Sequence, residues 1–266
     1  MTPNALVDSL HRDRTEGHGS LLAYLMVDAA RSRILPDLAR ACRDSGVTAL
    51  ELGFPFSDPI ADGPVLQSAA SSALAHGTEW SDLLDAVRSA SRALPVVVMT
   101  YANPVFHHGL EPACRALRAA GGSGLIVPDL ALEESGSWRS AARRFGLALV
   151  QMGSPATPAD RMRMLARASS GFLYLVSRYG ITGRGRHSGP AVLRSLVRVA
   201  HETRPDLPVL VGFGIRSPAD VKAVTRIGAD GAIVGSAVEE VLSRSTDPAR
   251  LRRLLEPLAH QARARL

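Results

Sequence analysis

Eight short apolar runs recur along the chain, each followed by a segment with helical period or helix-start residues. This alternation restricts the fold more than any other feature. The runs cover residues 21–27, 49–53, 95–101, 124–127, 147–152, 172–176, 208–212 and 231–234. Helices are predicted over 34–45, 81–93, 111–120, 132–145, 158–168, 190–203 and 218–227. Several open with a proline after Ser, Thr or Gly, which suits a first helical turn. Continuous apolar strands separated by helices specify a parallel sheet covered on its outer face. Eight such units specify closure into an α/β fold, a (β/α)₈ TIM barrel. It spans residues 1–266 as one domain, with a helix before the first strand and another after the eighth. An open doubly wound sheet is the alternative, but no GxGxxG follows the first strand.

A chain of 266 residues, 46% of them hydrophobic, can bury the core such a barrel needs. It contains no run of eighteen apolar residues, and residues 1–19 lack a signal-peptide core. A cytoplasmic protein without a membrane span is expected. The net charge of +6 is scattered, apart from the basic face of a last helix over 250–265. No nucleic-acid motif or aromatic platform accompanies it, so nucleic acid is not an expected partner. Cys42 and Cys114 fall in predicted helices without metal-ligand spacing, and neither a disulfide framework nor a zinc site is expected.

Two acids stand out against this background. Glu51 interrupts the apolar run 47–54, and Asp62 closes the Pro/Gly/Ser/Asp loop that follows. A carboxylate inside an apolar strand costs several kcal/mol unless it is paired or protonated. Glu51 is thus a candidate proton donor or acceptor with a raised pKa, the alternative being a core acid held by a hidden arginine.

In a barrel, functional groups belong on the loops that follow the strands. The third strand ends in Tyr101-Ala102-Asn103-Pro104, where Asn103 is expected in an extended or turn conformation, as a turn former or a contact residue. The fourth ends in Pro128-Asp129, with Glu133 and Glu134 set to compensate the next helix dipole. The role of Asp129 stays open. Tyr174, in the sixth strand, either fills the core or reaches the barrel mouth to hydrogen-bond an acid or substrate. After it comes a Gly/Ser/Arg-rich loop long enough to act as a lid, whose Ile181-Thr182-Gly183 turn offers backbone N–H groups. The last two strands end in turns containing Gly214 and Gly235-Ser236, each opening a helix. Glycine there admits a ligand to the backbone, and two adjacent helix starts form the usual barrel phosphate site.

Carbon–carbon cleavage of a phosphorylated substrate proceeds through a lysine Schiff base, a metal or acid–base catalysis. The sole lysine, Lys222, lies on a predicted outer helix, and the pair His107-His108 has no carboxylate nearby in sequence. Acid–base chemistry by Glu51 and Asp62 is left, with no cofactor and no metal called for.

The stretch ELGFPFSDPIADGP resembles the signature of the tryptophan synthase alpha subunit family, and the likeness continues through YANPVF, YLVSRYGITG, GFGI and GSA. The resemblance implies cleavage of indole-3-glycerol phosphate to indole and glyceraldehyde 3-phosphate. It makes Glu51 the general acid–base and Asp62 the acceptor of the indole N–H. Tyr174 would support the site, with Thr182, Gly183, Gly214, Gly235 and Ser236 around the phosphate. It also implies an αββα assembly with a pyridoxal-phosphate beta subunit, with Asp58 placed for communication between the two. The chain departs from the family pattern in places. YLMVDAARS stands where FVTAGDP is usual, Val65 replaces a threonine, QMGSPATPAD follows strand five, and the lid sequence GRGRHSG is basic. The altered first loop and lid motivate one alternative, a stand-alone lyase releasing free indole; an alternative of another class is an inactive regulator of a beta subunit. Retention of both acids speaks against the regulator.

Overall fold

The computed structural model describes residues 4–177 and 189–264. In chain order its elements are α1 (Ala5–Thr15), β1 (Ser20–Met26), α2 (Leu35–Asp44), β2 (Ala49–Gly53), α3 (Pro64–Ala75), α4 (Trp80–Ala90) and β3 (Val96–Met99). There follow α5 (Ala102–His108), α6 (Leu110–Ala119), β4 (Gly124–Ile126), α7 (Ser135–Arg144), β5 (Ala148–Gly153), α8 (Ala159–Ala168) and β6 (Leu173–Val176). The last third comprises α9 (Pro190–Thr203), β7 (Val209–Gly212), α10 (Pro218–Arg226), β8 (Gly231–Val234), α11 (Ser236–Arg244) and α12 (Pro248–Arg263). The eight strands are all parallel and close in sequence order, β1 pairing with β8. The chain is a single-domain (β/α)₈ barrel.

Strand alternation splits the apolar residues into two layers. Leu22, Tyr24, Val97, Ile126, Val150, Phe172, Leu210 and Ile233 fill the barrel, whereas Leu21, Leu25, Leu50, Leu52, Val98 and Val211 face the helical sheath. Leu6 and Leu10 of α1 join the inner cluster. Asn4 caps α1 and donates from Nδ2 to the carbonyls of Ser123 and Gly146, just before β4 and β5, so α1 closes the N-terminal end of the barrel. The opposite, C-terminal end remains for the site.

Two elements differ from the sequence expectation. Residues 64–75 form α3, not foreseen because its Ala/Ser-rich stretch has little amphipathic contrast. Its inward face is Leu66, Ala70 and Ala73, a spacing of four and three residues. Asn103 lies in the first turn of the helix α5, exposed, rather than in the extended or turn conformation expected before a proline. The α5 start is stabilised by Asp129, whose Oδ1 accepts the Ala102 N–H at 2.9 Å. Asp129 is thus the acceptor at a helix start, which settles its open role.

Candidate active site

The β1–β2 register sets Tyr24 beside Glu51, and Glu51 shares the inward face of β2 with Ala49 and Gly53. At the end of β2 the missing side chain of Gly53 makes room for the Tyr24 ring, and Gly212 at the end of β7 does the same for Tyr174. The two tyrosines roof the inner core and form apolar walls around Glu51, which is 1% exposed. Burial, and then the charge of Asp62, push the Glu51 carboxyl up to about 8.

Asp62 reaches the same place from the loop after β2. Ile60 N–H bonds to the Asp58 carbonyl, Asp62 N–H to that of Pro59, and Ala61 N–H to the Tyr101 hydroxyl at 3.0 Å. Phe56 stacks on the Tyr101 ring, centroids 5.2 Å apart, and fixes the loop from its other side. Burial raises Asp62 to about 6, opposed by a hydrogen bond from Tyr101. Glu51 Oε2 and Asp62 Oδ1 are buried with no hydrogen-bond partner among the described residues. Such orphan oxygens at the mouth of a barrel make this the candidate ligand site. Thr100 Oγ1 is also orphaned, but by strand alternation it faces the sheath.

One pocket joins Glu51, Tyr24 and Tyr174 to Phe213, Gly214, Gly235 and Ser236. Phe213 has φ 69°, an unusual strain for an aromatic residue, and Gly214 follows at φ 97°. The Ser177 hydroxyl bonds to the Phe213 carbonyl and braces this turn. Ser236 is the first residue of α11 and Ser217 caps α10, so both helix starts expected to receive an anion lie at the C-terminal end of the barrel. A larger cavity, about 320 Å³, lies against α2 and α4 beside Asp28 and Arg31 and contains neither acid.

Of the residues read from sequence, the structure brings together Glu51, Asp62, Tyr174, Gly214, Gly235 and Ser236. Thr182 and Gly183 lie outside the described residues. Asp58 is exposed in the loop and bonds to Ser57. Lys222 is exposed on α10, and Glu133 pairs with Arg161 at the surface. Three contributors escaped the sequence reading. Tyr24 stands beside Glu51 and Tyr101 braces the Asp62 loop, and their signal was an inward strand parity and a position at a strand end. Glu239 is a buried acid on α11 whose signal was its spacing, three residues before the buried Leu242.

The family model for tryptophan synthase alpha chain matches residues 10–263. The chain belongs to the tryptophan synthase alpha chain family. A tryptophan synthase alpha chain of Methanopyrus kandleri is 42% identical over 252 residues, 93% of this chain and 91% of that one. The one from Arabidopsis thaliana is 36% identical over the same shares. Among solved structures, tryptophan synthase of Mycobacterium tuberculosis superimposes with a TM-score of 0.88 at 35% identity, covering 98% of each chain. The tryptophan synthase a2b2 complex of Pyrococcus furiosus, described for its mutual activation, gives 0.81 at 30% identity over 91% of this chain and 98% of that one. Among the described residues, no helix is long and apolar enough to cross a membrane.

Proposed function

We propose that Glu51 and Asp62 divide the acid–base work of indole-3-glycerol phosphate cleavage, the lyase reaction that this chain performs as a tryptophan synthase alpha subunit in tryptophan biosynthesis. One observation carries the assignment. Two buried carboxyls, close enough for the charge of Asp62 to raise Glu51, each keep an unpartnered oxygen, and their environments push one to about 8 and the other to about 6. At neutral pH Glu51 is therefore a proton donor and Asp62 an anion.

Glu51 protonates C3 of the indole ring, and positive charge develops at the ring nitrogen. Asp62 accepts the N–H hydrogen bond and stabilises that charge, most strongly in the buried setting. The C3–C1′ bond then breaks, its electron pair returning to the ring. The C1′ hydroxyl gives its proton to Glu51 and becomes the aldehyde. One proton enters and one leaves, so Glu51 finishes as it began. Tyr174 and Tyr24 wall the ring, and Gly214, Gly235 and Ser236, with Thr182 and Gly183, receive the phosphate.

The partner is a tryptophan synthase beta subunit in an αββα assembly, with Asp58 on the exposed loop positioned to communicate with it. We read the chain as acting in the cytoplasm. The decisive measurement is indole release by the purified chain, with and without a beta subunit from the same source. Low activity raised strongly by the partner supports the alpha-subunit reading. High activity indifferent to the partner would instead identify a stand-alone lyase.

A further inference from the structure

Glu239 is a buried acid that the reaction does not use. It lies in the first turn of α11, the helix that Ser236 opens, and is 1% exposed. Its Oε1 accepts the Met26 N–H at 2.7 Å and its Oε2 accepts from Arg31 Nη1 at 2.8 Å. Arg31 also lies 3.7 Å from Asp28, whose other oxygen is 2.9 Å from His76 Nδ1 at the end of α3. A line of polar contacts thus runs from α3, through the turn after β1, to α11. Asp28 and Arg31 belong to the segment YLMVDAARS, where the chain departs from the family pattern.

This line adjoins the site. Tyr24 packs against Gly235, with its Cβ 3.5 Å from where a Cβ on that glycine would stand. Burial, then Asp62, Glu239 and Glu51 in that order, hold the Tyr24 phenol well above its ordinary range. Glu239 is a third acid beside the barrel mouth; burial raises its carboxyl, and the charge and hydrogen bond of Arg31 oppose that rise and favour the anion. An acid in the first turn of a helix uses the same positive helix end that would bind an external anion, and a second anion there meets like-charge repulsion.

Resting on the reading of Gly235-Ser236 as a phosphate turn, we infer that Arg31 is a positioning residue for the substrate phosphate. It fastens the β1 turn to the first turn of α11 and cancels the charge of Glu239, leaving the helix start able to receive a dianion. A purely structural ion pair predicts that removing either partner harms binding alike. Charge cancellation predicts opposite signs, since only loss of Arg31 exposes the carboxylate.

The test is calorimetric titration of the full chain with glycerol 3-phosphate at about pH 8, where the ester is a dianion. Arg31→Ala should weaken binding about tenfold, the effect of one uncompensated nearby charge. Glu239→Gln, which keeps an oxygen for the Met26 N–H, should bind as tightly as the parent or tighter. The double variant should return to within about threefold of the parent, the signature of coupled sites. Equal weakening by both single changes, a double variant as weak as Arg31→Ala, or unaltered binding by Arg31→Ala would overturn the inference. If Arg31→Ala does not fold, the other two variants decide, because tenfold weaker binding by Glu239→Gln overturns it. A parent chain that binds no glycerol 3-phosphate overturns the phosphate reading itself, and this inference with it. Binding by the parent with wrong signs in the variants overturns the inference alone.

Discussion

The Tyr24 phenol lies across Gly53 so closely that a Cβ on the glycine would overlap it. The glycine is there because a tyrosine on the neighbouring strand occupies its side-chain space. Gly53→Ala must push Tyr24 off Glu51, with an overpacking cost of roughly 1–3 kcal/mol. We expect a lower urea midpoint and a lower kcat for indole release. Adding Tyr24→Phe, which deletes the nearest atom, should recover part of both losses. A Gly53→Ala chain with parental stability and rate would show that the mouth is not packed as described.

Glu51→Gln keeps shape and removes the proton. The rate of indole release should fall by about 10²–10⁴, as for loss of a general acid–base, while the fold is retained. Its stability against pH gives a second readout. The folded state raises the Glu51 pKa from 4.5 to about 8, so between those values the native chain holds a proton that the unfolded chain has lost. Stability from this group is complete below the unfolded value and is lost as pH rises through about 8. Urea midpoints of Glu51→Gln should fall less over that window than those of the parent. Parallel profiles would place the raised pKa elsewhere.

The barrel was legible in the sequence because eight parallel strands buried on both faces leave eight short apolar runs, broken by a charge only at Glu51, with helical segments between them. Glu51 was legible for the same reason, being the lone charge within such a run. The contributions of Tyr24 and Tyr101 were not, since a tyrosine in an apolar strand reads as core until the barrel closes and sets its neighbours. Helix α3 was hidden by its small residues, whose inward face is shallow enough to look like loop. The Arg31–Glu239 pair joins positions 208 residues apart, and only the β1–β8 closure brings them within reach.

Both cysteines should be silent in the folded chain. Cys42 and Cys114 are free and buried in α2 and α6, and burial pushes their thiols up to about 12 and about 11. Little thiolate is available near neutral pH, and a reagent cannot reach what there is. A thiol-reactive dye should label neither in buffer and both in denaturant. Rapid labelling of one thiol under native conditions would contradict its burial.

Tyr101 should set the acid limb of the pH–rate profile. Its hydrogen bond favours the charged form of Asp62 and so holds that carboxyl near about 6 against the upward push of burial. Tyr101→Phe removes the bond, and the Asp62 pKa must rise. Since Asp62 acts as an anion, activity at neutral pH should fall and the acid limb should move to higher pH. The basic limb, set by loss of the Glu51 proton near about 8, should stay close to its place, which narrows the bell. The same change frees the Ala61 N–H, so some loss uniform across pH is expected from a looser loop. Asp62→Asn separates the two effects because it cannot ionise at any pH, and its deficit should not recover with alkali. Profiles of kcat/KM for the three chains make the comparison. A Tyr101→Phe profile lowered evenly, with its acid limb unmoved, would assign Tyr101 to packing against Phe56 rather than to control of the Asp62 charge.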